Sequence, residues 1–293
     1  MTHIVCFGEV LWDNFPTHKK IGGAPLNVAL RLQSLHNNVS IISRIGNDNQ
    51  GVKIKEYCNE HGVNTENIQV SSTLNTGEVT VTLNQKGSAS YDIKHPRAWD
   101  NIQFNENIKT KTLQSDAFIY GSLVAREEIS RQTLYKLLEV AKYKVFDVNL
   151  RAPYFTSEVL NHLMNKADFI KFNDEEITEI AAMLDSGTVS LEQHITFIAK
   201  HTNTNTICVT RGSQGAIFYY HNKFYYNNGY QIEVKDTVGA GDSFLGSLIH
   251  KLIEGDTPQK AIDFACAMGA MVASREGANP KITTEEISTI MNF

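Results

Sequence analysis

From residue 116 onward the chain alternates, at short and regular intervals, between apolar runs of strand length and stretches with helical spacing. The runs FIYGS, KVFDVN, FIKF and TICVT are separated by helical patterns over 127–142, 156–166 and 174–183 followed by 190–200. The first fifth does the same: a strand over 3–8, a helix over 25–36 with Pro25 suited to a first turn, a strand over 39–46 and a helix over 50–61. Neighbouring strands joined by a helix run parallel, and a parallel sheet needs cover on both faces. The pattern therefore predicts an α/β chain with a mostly parallel sheet between helices. It ends with a hairpin, AIFYYHNKFYY, and helices over 241–254, 259–274 and 284–291.

One region breaks this rhythm. Residues 68–100 contain VTVTLN, QKGSAS and YDIKHPRAW, with period-2 patterning and a turn at Gly87, and residues 9–20 are also extended. Together they predict a small β-sheet inserted early in the domain. It is either an excursion from the sheet edge or a lid over a cleft. Trp12 and Trp99 flank it, each as a core aromatic or as a stacking surface.

The remaining composition excludes more than it suggests. Net charge is −5 and no basic stripe occurs, which speaks against nucleic acid as a partner. Cys6, Cys58, Cys208 and Cys266 are far apart in apolar contexts and read as buried thiols of a reducing compartment. The start MTHIVCFGEV enters a strand directly, and the apolar stretch 264–273 is too short to span a bilayer, so a cytoplasmic location is expected. No GxxxxGK[ST], HRD, DFG or HExxH occurs, and GEVLWD stands where a dinucleotide-binding fold needs GxGxxG.

The chemistry concentrates in DTVGAGDSF, residues 236–244. Gly239, Ala240 and Gly241 carry almost no side chain and open a helix, which leaves backbone N–H groups without intrahelical partners. Those groups and the helix dipole form an anion site. Asp242 places a carboxylate in the first turn as a base for a hydroxyl, and an anion hole beside a base suits phosphoryl transfer to an alcohol. A second motif, GGAPLNVA, has Gly22, Gly23 and Ala24 opening a helix that carries Asn27, whose amide can meet a sugar hydroxyl. Asp13 lies on the adjacent extended segment as a carboxylate for a polyol. Three further fragments fall at expected strand ends, where ligands bind in open α/β sheets. FDVNLR offers Asp147, Asn149 and Arg151; FNDEE offers Asn173 and Glu176; TRGSQGA offers Thr210, Arg211, Gly212 and Gly215. The Asn173/Glu176 pair either caps a helix or holds Mg²⁺ through waters, and the TRGSQG turn suits nucleotide phosphates.

Taken in order, GGAPLNVA, DVNLR, NDEE, TRGSQG and DTVGAGDSF resemble the motifs of the ribokinase-like carbohydrate kinases, the phosphofructokinase-B group, and EVLWD…GGAPLNVA…AWD is most similar to its bacterial fructokinases. The resemblance runs from Gly8 to about Pro280 and implies one kinase domain over 1–293. The implied fold is a three-layer α/β/α sandwich with a small β lid from about 9–20 and 68–100. The implied reaction is ATP- and Mg²⁺-dependent phosphorylation of a sugar hydroxymethyl group, with fructose the expected substrate. Ribose, 2-keto-3-deoxygluconate or a nucleoside is the alternative, and a non-catalytic sugar-binding protein a lesser one. By this resemblance Asp242 is the base and the amides from Gly239 to Asp242 form the anion hole. Asp13, Gly22, Gly23, Ala24, Asn27, Arg97 and Trp99 face the sugar. Asn173, Thr210, Arg211, Gly212, Gly215 and Gly241 face the nucleotide. Asn149 and Arg151 lie near the phosphates, and Glu176 with Asn173 serves the metal. A K⁺ site near Asp236 and residues 274–279 and a homodimer through the lid edge are further expectations.

Overall fold

A computed structural model of the chain describes residues 2–83 and 89–292. Nine strands form the main sheet: β1 (His3–Phe7), β4 (Asn38–Gly46), β5 (Ile68–Ser71), β8 (Ala117–Gly121), β9 (Lys144–Asp147), β10 (Phe169–Asn173), β11 (Thr206–Thr210), β12 (Ala216–Tyr220) and β13 (Lys223–Asn227). Their spatial order is β13-β12-β11-β10-β9-β8-β1-β4-β5, parallel except for the antiparallel pairs made by β12 and β13. β1 lies between β8 and β4, so the chain begins inside the sheet and builds outward in both directions.

Period-2 alternation assigns each strand residue to a layer. Val5, Phe7, Phe118, Phe146 and Ile170 are buried against α3 (Glu106–Gln114), α4 (Glu128–Leu138), α5 (Ser157–Lys166), α6 (Asp174–Met183) and α7 (Leu191–Thr202). Ile4, Cys6, Ile119, Val145 and Phe169 are buried on the other face, against α1 (Ala24–Ser34), α2 (Asn49–Glu60), α8 (Ala240–Ile253) and α9 (Pro258–Ala273). A last helix, α10 (Thr284–Met291), packs on α9. The fold is the expected α/β/α sandwich of the ribokinase-like kind. All four cysteines are free and buried within it.

A second sheet of four strands stands apart, in the order β3-β2-β6-β7: β2 (Leu11–Asn14), β3 (Lys19–Gly22), β6 (Gly77–Leu83) and β7 (Ala89–Ile93). The turn expected at Gly87 lies outside the described residues. Two expectations change here. Residues 68–71 belong to the edge of the main sheet, beside β4, and not to the small one. Residues 98–101 form a 3₁₀ turn that carries Trp99 into the core, where it is fully buried.

Candidate active site

The functional side chains converge because their elements begin or end at one edge of the sheet. α1 and α8 pack side by side, and each opens on a glycine turn without a side-chain cap. Gly239 takes the left-handed conformation, with φ 75°, and a Cβ there would stand 2.6 Å from Ala278. The turn presents fewer donors than expected. The Ala240 N–H is turned back onto the Thr237 carbonyl at 3.2 Å, so the amides left to face an anion are those of Gly239, Gly241 and Asp242. Above Gly241 the space is open except for Lys171, whose Nζ lies 3.4 Å from where a Cβ would be.

Asp242 receives a 2.8 Å hydrogen bond on Oδ2 from the Asn27 amide of α1, which leaves Oδ1 toward the cleft. Burial, then repulsion from Asp147, lift its pKa to about 6; the Asn27 hydrogen bond, Lys171 and Arg151 pull the other way. Asn27 is 5% exposed and also accepts from Asn279 Nδ2 at 2.9 Å. The residue expected to hold a sugar hydroxyl is therefore occupied at both ends and holds the Asp242 carboxylate.

At the end of β9, Asp147 meets Lys171 of β10 at 3.0 Å in a buried ion pair. Burial alone would lower Lys171, but the carboxylates of Asp147 and Glu176 push it above its ordinary range. This lysine was missed in the sequence, where FIKF reads as a strand. The signal was a charge at an inward position of an otherwise apolar run.

Asn173 and Glu176 form a capping box at the start of α6: Asn173 Oδ1 accepts from the Glu176 N–H at 2.7 Å and Glu176 Oε2 accepts from the Asn173 N–H at 2.8 Å. Glu176 Oε1 accepts from the Leu150 N–H at 2.9 Å, so this carboxylate also braces the loop after β9. Its pKa is raised, chiefly by burial. Asn149 in that loop has φ 40° and its carbonyl faces Ser122. Arg151 is exposed at the mouth and hydrogen-bonds the Leu150 carbonyl.

A cavity of about 770 Å³ extends from Ala240 and Gly241 along Asn173, Thr210, Gly212 and Gly215, with Tyr230, Val234, Cys266 and Ala273 further out. Its volume suits an organic ligand, and its walls are mostly apolar with the anion turn at one end. Arg211 does not line it. The guanidinium is spent on the carbonyls of Gln214 and Asn227, so it closes its own turn.

On the other side of Asp242 lie Asp13 of β2 and Glu9 just after β1. Burial raises Asp13 to about 6 and Glu9 to about 7. Gly22 and Gly23 admit this packing: a Cβ on Gly22 would come 2.4 Å from Asp13 Oδ2, and one on Gly23 2.4 Å from the Glu9 carbonyl oxygen. Ala24 is the first residue of α1. Arg97 caps the 3₁₀ turn, with its guanidinium 3.6 Å from Glu78 of β6. Trp99, expected on the sugar, instead lies under Arg126, 4.0 Å from the ring centre, with no surface left to offer a ligand.

Magnesium is implied by the resemblance, and the residues fit a hydrated ion brought by a nucleotide. Among the described residues no three His, Cys, Asp or Glu side chains stand close enough to hold a metal directly. Yet Asp147 Oδ2 is buried without a partner beside Glu176, and carboxylate oxygens and waters are the ligands magnesium takes. Asp236 is different. Its oxygens accept from the Val238 and Gly277 amides, and the Lys20 ammonium lies 3.6 Å away.

Known proteins resemble the chain over nearly its whole length. Fructokinase-2 of Solanum lycopersicum is 28% identical over 311 residues, covering 96% of this chain and 93% of that protein. A probable fructokinase-3 of Arabidopsis thaliana is 29% identical over 315 residues, covering 96% and 89%. Among solved structures, a fructokinase double mutant from Vibrio cholerae O395 with fructose, ADP and potassium ion bound superposes with a TM-score of 0.86 at 24% identity, covering 99% and 98%. Fructokinase from Xylella fastidiosa with bound ATP gives 0.86 at 22%, with the same coverage. The pfkB family carbohydrate kinase domain matches residues 1–285, and the chain belongs to that family.

Proposed function

We propose that this carbohydrate kinase transfers the γ-phosphoryl group of ATP to the 6-hydroxymethyl group of D-fructose. The observation that carries the reading is the position of Asp242. It follows Gly241 at the end of the cavity and lies near the Asp13 and Glu9 carboxylates, with one oxygen held by Asn27. The adenosine part of ATP occupies the apolar end of the cavity, and its phosphates run toward the amides of Gly239, Gly241 and Asp242. Thr210, Gly212 and Gly215 border their path, and Asn149 and Arg151 come from the loop after β9, whose Arg151 is near enough to Asp242 to favour its ionised form.

The sugar lies below the small sheet, against Asp13 and the GGAP turn. Its primary hydroxyl gives its proton to Asp242 Oδ1 as the oxygen attacks phosphorus, and the bond to the leaving ADP oxygen breaks. Such transition states are loose, so charge neutralisation and alignment supply most of the catalysis. Lys171 keeps the nearby carboxylates from repelling the phosphates. Magnesium, when bound, would be held through waters by Asp147 and Glu176, and would screen the phosphate charge. The small sheet acts as the lid, and its outer strands β3 and β7 each have one edge unpaired among the described residues, through which two chains would pair. Among the described residues no helix is long and apolar enough to cross a membrane, which is compatible with action in the cytoplasm.

The fructose assignment rests on the fructokinase relatives and on the Asp13 carboxylate, which stands near Asp242 and can accept from ring hydroxyls. It is tested with fructose, ribose, 2-keto-3-deoxygluconate and adenosine at equal concentration in an ADP-release assay, with the phosphorylated carbon located by NMR. Fructose should lead by at least about tenfold, because a site built to bond a hydroxyl leaves its own groups unpaired when that hydroxyl is missing. A lead for another acceptor overturns the substrate, and no ADP release overturns the reaction. Sedimentation velocity checks the pairing of chains.

A further inference from the structure

Asp242 does not stand alone in the cleft. Asn27 Nδ2 donates to its Oδ2 at 2.8 Å, and Asn279 Nδ2 donates to Asn27 Oδ1 at 2.9 Å. An ionised carboxylate only accepts and draws the NH₂ end of Asn27 by itself, but an amide has nearly the same shape either way round, so once Asp242 is protonated the carboxyl no longer tells Asn27 which end to turn to it. Asn279 supplies that information. Its N–H can be received only by an oxygen, which fixes the Asn27 oxygen on its side and the NH₂ on Asp242.

We propose that Asn279 is a positioning residue for the base, holding the Asn27 amide in the one orientation that donates to Asp242 Oδ2. The consequence is a one-sided base. When Asp242 takes the hydroxyl proton, Oδ2 is still covered by a donor, so the proton resides on Oδ1. Without Asn279, Asn27 is free to turn its oxygen to the protonated carboxyl, accept that proton's hydrogen bond and hold it on the wrong oxygen.

The surroundings favour a dedicated role. Asn279 Oδ1 is buried and makes no hydrogen bond among the described residues, so this side chain has forgone its own acceptor bond to make the donor bond to Asn27. The same segment is anchored independently: Arg31 Nη2 donates to the Pro280 carbonyl at 3.1 Å, and Ala278 packs on Gly239. The loop therefore does not need Asn279 to stay in place. The charged groups facing Asp242 are Asp147 from β9, Lys171 from β10, Arg151 after β9, Glu9 after β1 and Asp13 from β2. All of them are left intact by a change at 279, so a shift in the titration of Asp242 reports the amide.

This inference rests on Asp242 as the base of the proposed kinase, but its test does not need a substrate. The midpoint of Asp242 is read by NMR titration of its carboxyl carbon in ¹³C-aspartate-labelled protein, with Asp242→Asn giving the assignment. Asn279→Leu should raise that midpoint by half a unit or more, and the acidic limb of kcat/KM for the sugar should move with it. KM for ATP should stay within twofold. In an Asn27→Ala background Asn279→Leu should have no further effect. If Asn279→Leu does not fold, Asn279→Ala removes the same donor without adding a charge. Superimposed titrations of parent and variant overturn the proposal, and so does a shift that persists undiminished without Asn27. A protein that titrates as expected but releases no ADP would leave this relay standing and remove the kinase reading.

Discussion

At the GGAP turn side chains are missing because other atoms fill their place. A Cβ on Gly23 would stand 2.4 Å from a backbone oxygen, and the residue has φ 112°. At the GAGD turn Gly241 faces the reverse situation, an open space bounded only by the Lys171 ammonium at 3.4 Å. Gly23, like Gly239 in the other turn, is small so that the chain can pack; Gly241 is small where space stays open, as the proposed phosphate requires. The first has no acid in its first helical turn and the second has Asp242. A glycine motif is thus evidence of close approach, and the structure must say whether protein or substrate makes the approach.

The comparison can be broken in several ways. The largest effect belongs to Asp242→Asn, which keeps the shape of the GAGD turn and removes the base. Turnover should fall by ~10²–10⁴, with ATP and sugar affinity within a few fold by isothermal titration. Thermal stability at pH 8 should rise by about 1 kcal/mol, because a carboxylate lifted above its unfolded value costs stability once pH passes both values. The sign follows from the direction of the shift: the buried acid favours folding at low pH and loses that advantage as pH rises through about 6. A variant with parental turnover ends the assignment.

Gly23→Ala comes next and should act on folding alone. A side chain at φ 112° against the Glu9 carbonyl should cost about 3 kcal/mol or more by denaturant titration. A stable Gly23→Ala protein with weak sugar binding would show that this turn, too, is kept open for a ligand.

Gly241→Ala should reverse that pattern. We expect kcat lower by ~10²-fold, the lower end of what one lost oxyanion donor costs, because the added methyl holds the phosphate off amides that are themselves kept, and a melting temperature within about 2 °C of the parent. Equal losses of stability at Gly23 and Gly241 would erase the distinction between the turns.

The smallest effect is a matter of pH. With Asp242 at about 6, kcat/KM for the sugar should fall as pH drops through that value, because the base must be ionised. Lys171→Met removes a cation that favours the ionised form and should move the limb upward. A limb near pH 4 in the parent would mean that Asp242 is solvated and not buried.

Much of this was legible in the chain. Strand and helix alternation gave the sandwich because each strand's period-2 burial is written in residues such as Val5 and Cys6. The GAGD turn was legible because four consecutive small or acidic residues before an apolar helix have few other uses. Residues whose role depends on a distant partner were not. Asn27 looked like a sugar contact until Asn279, 252 positions away, was found on its oxygen. Trp99 looked like a lid aromatic until its 3₁₀ turn carried it into the core. Lys171 gave only a faint sign, since its partner Asp147 lies on another strand. The β5 strand was taken for part of the small sheet because extended sequence does not say which sheet it joins.

The buried Arg31 donates from α1 to Ser243 Oγ in α8 and to the carbonyl of Pro280, so the first helix is tied to the last quarter of the chain. Read in the order of synthesis, this has a consequence. The small sheet and its Asp13 are complete within the first hundred residues, and β1 already has β4 beside it. The turn that would move phosphate leaves the ribosome only after residue 239, and its partner loop about forty residues later. A nascent chain would hold a half-formed polar pocket for most of its synthesis, with the guanidinium of Arg31 waiting for acceptors not yet made. Chaperone dependence, if this protein has any, should therefore track the arrival of α8 and not the length of chain already exposed.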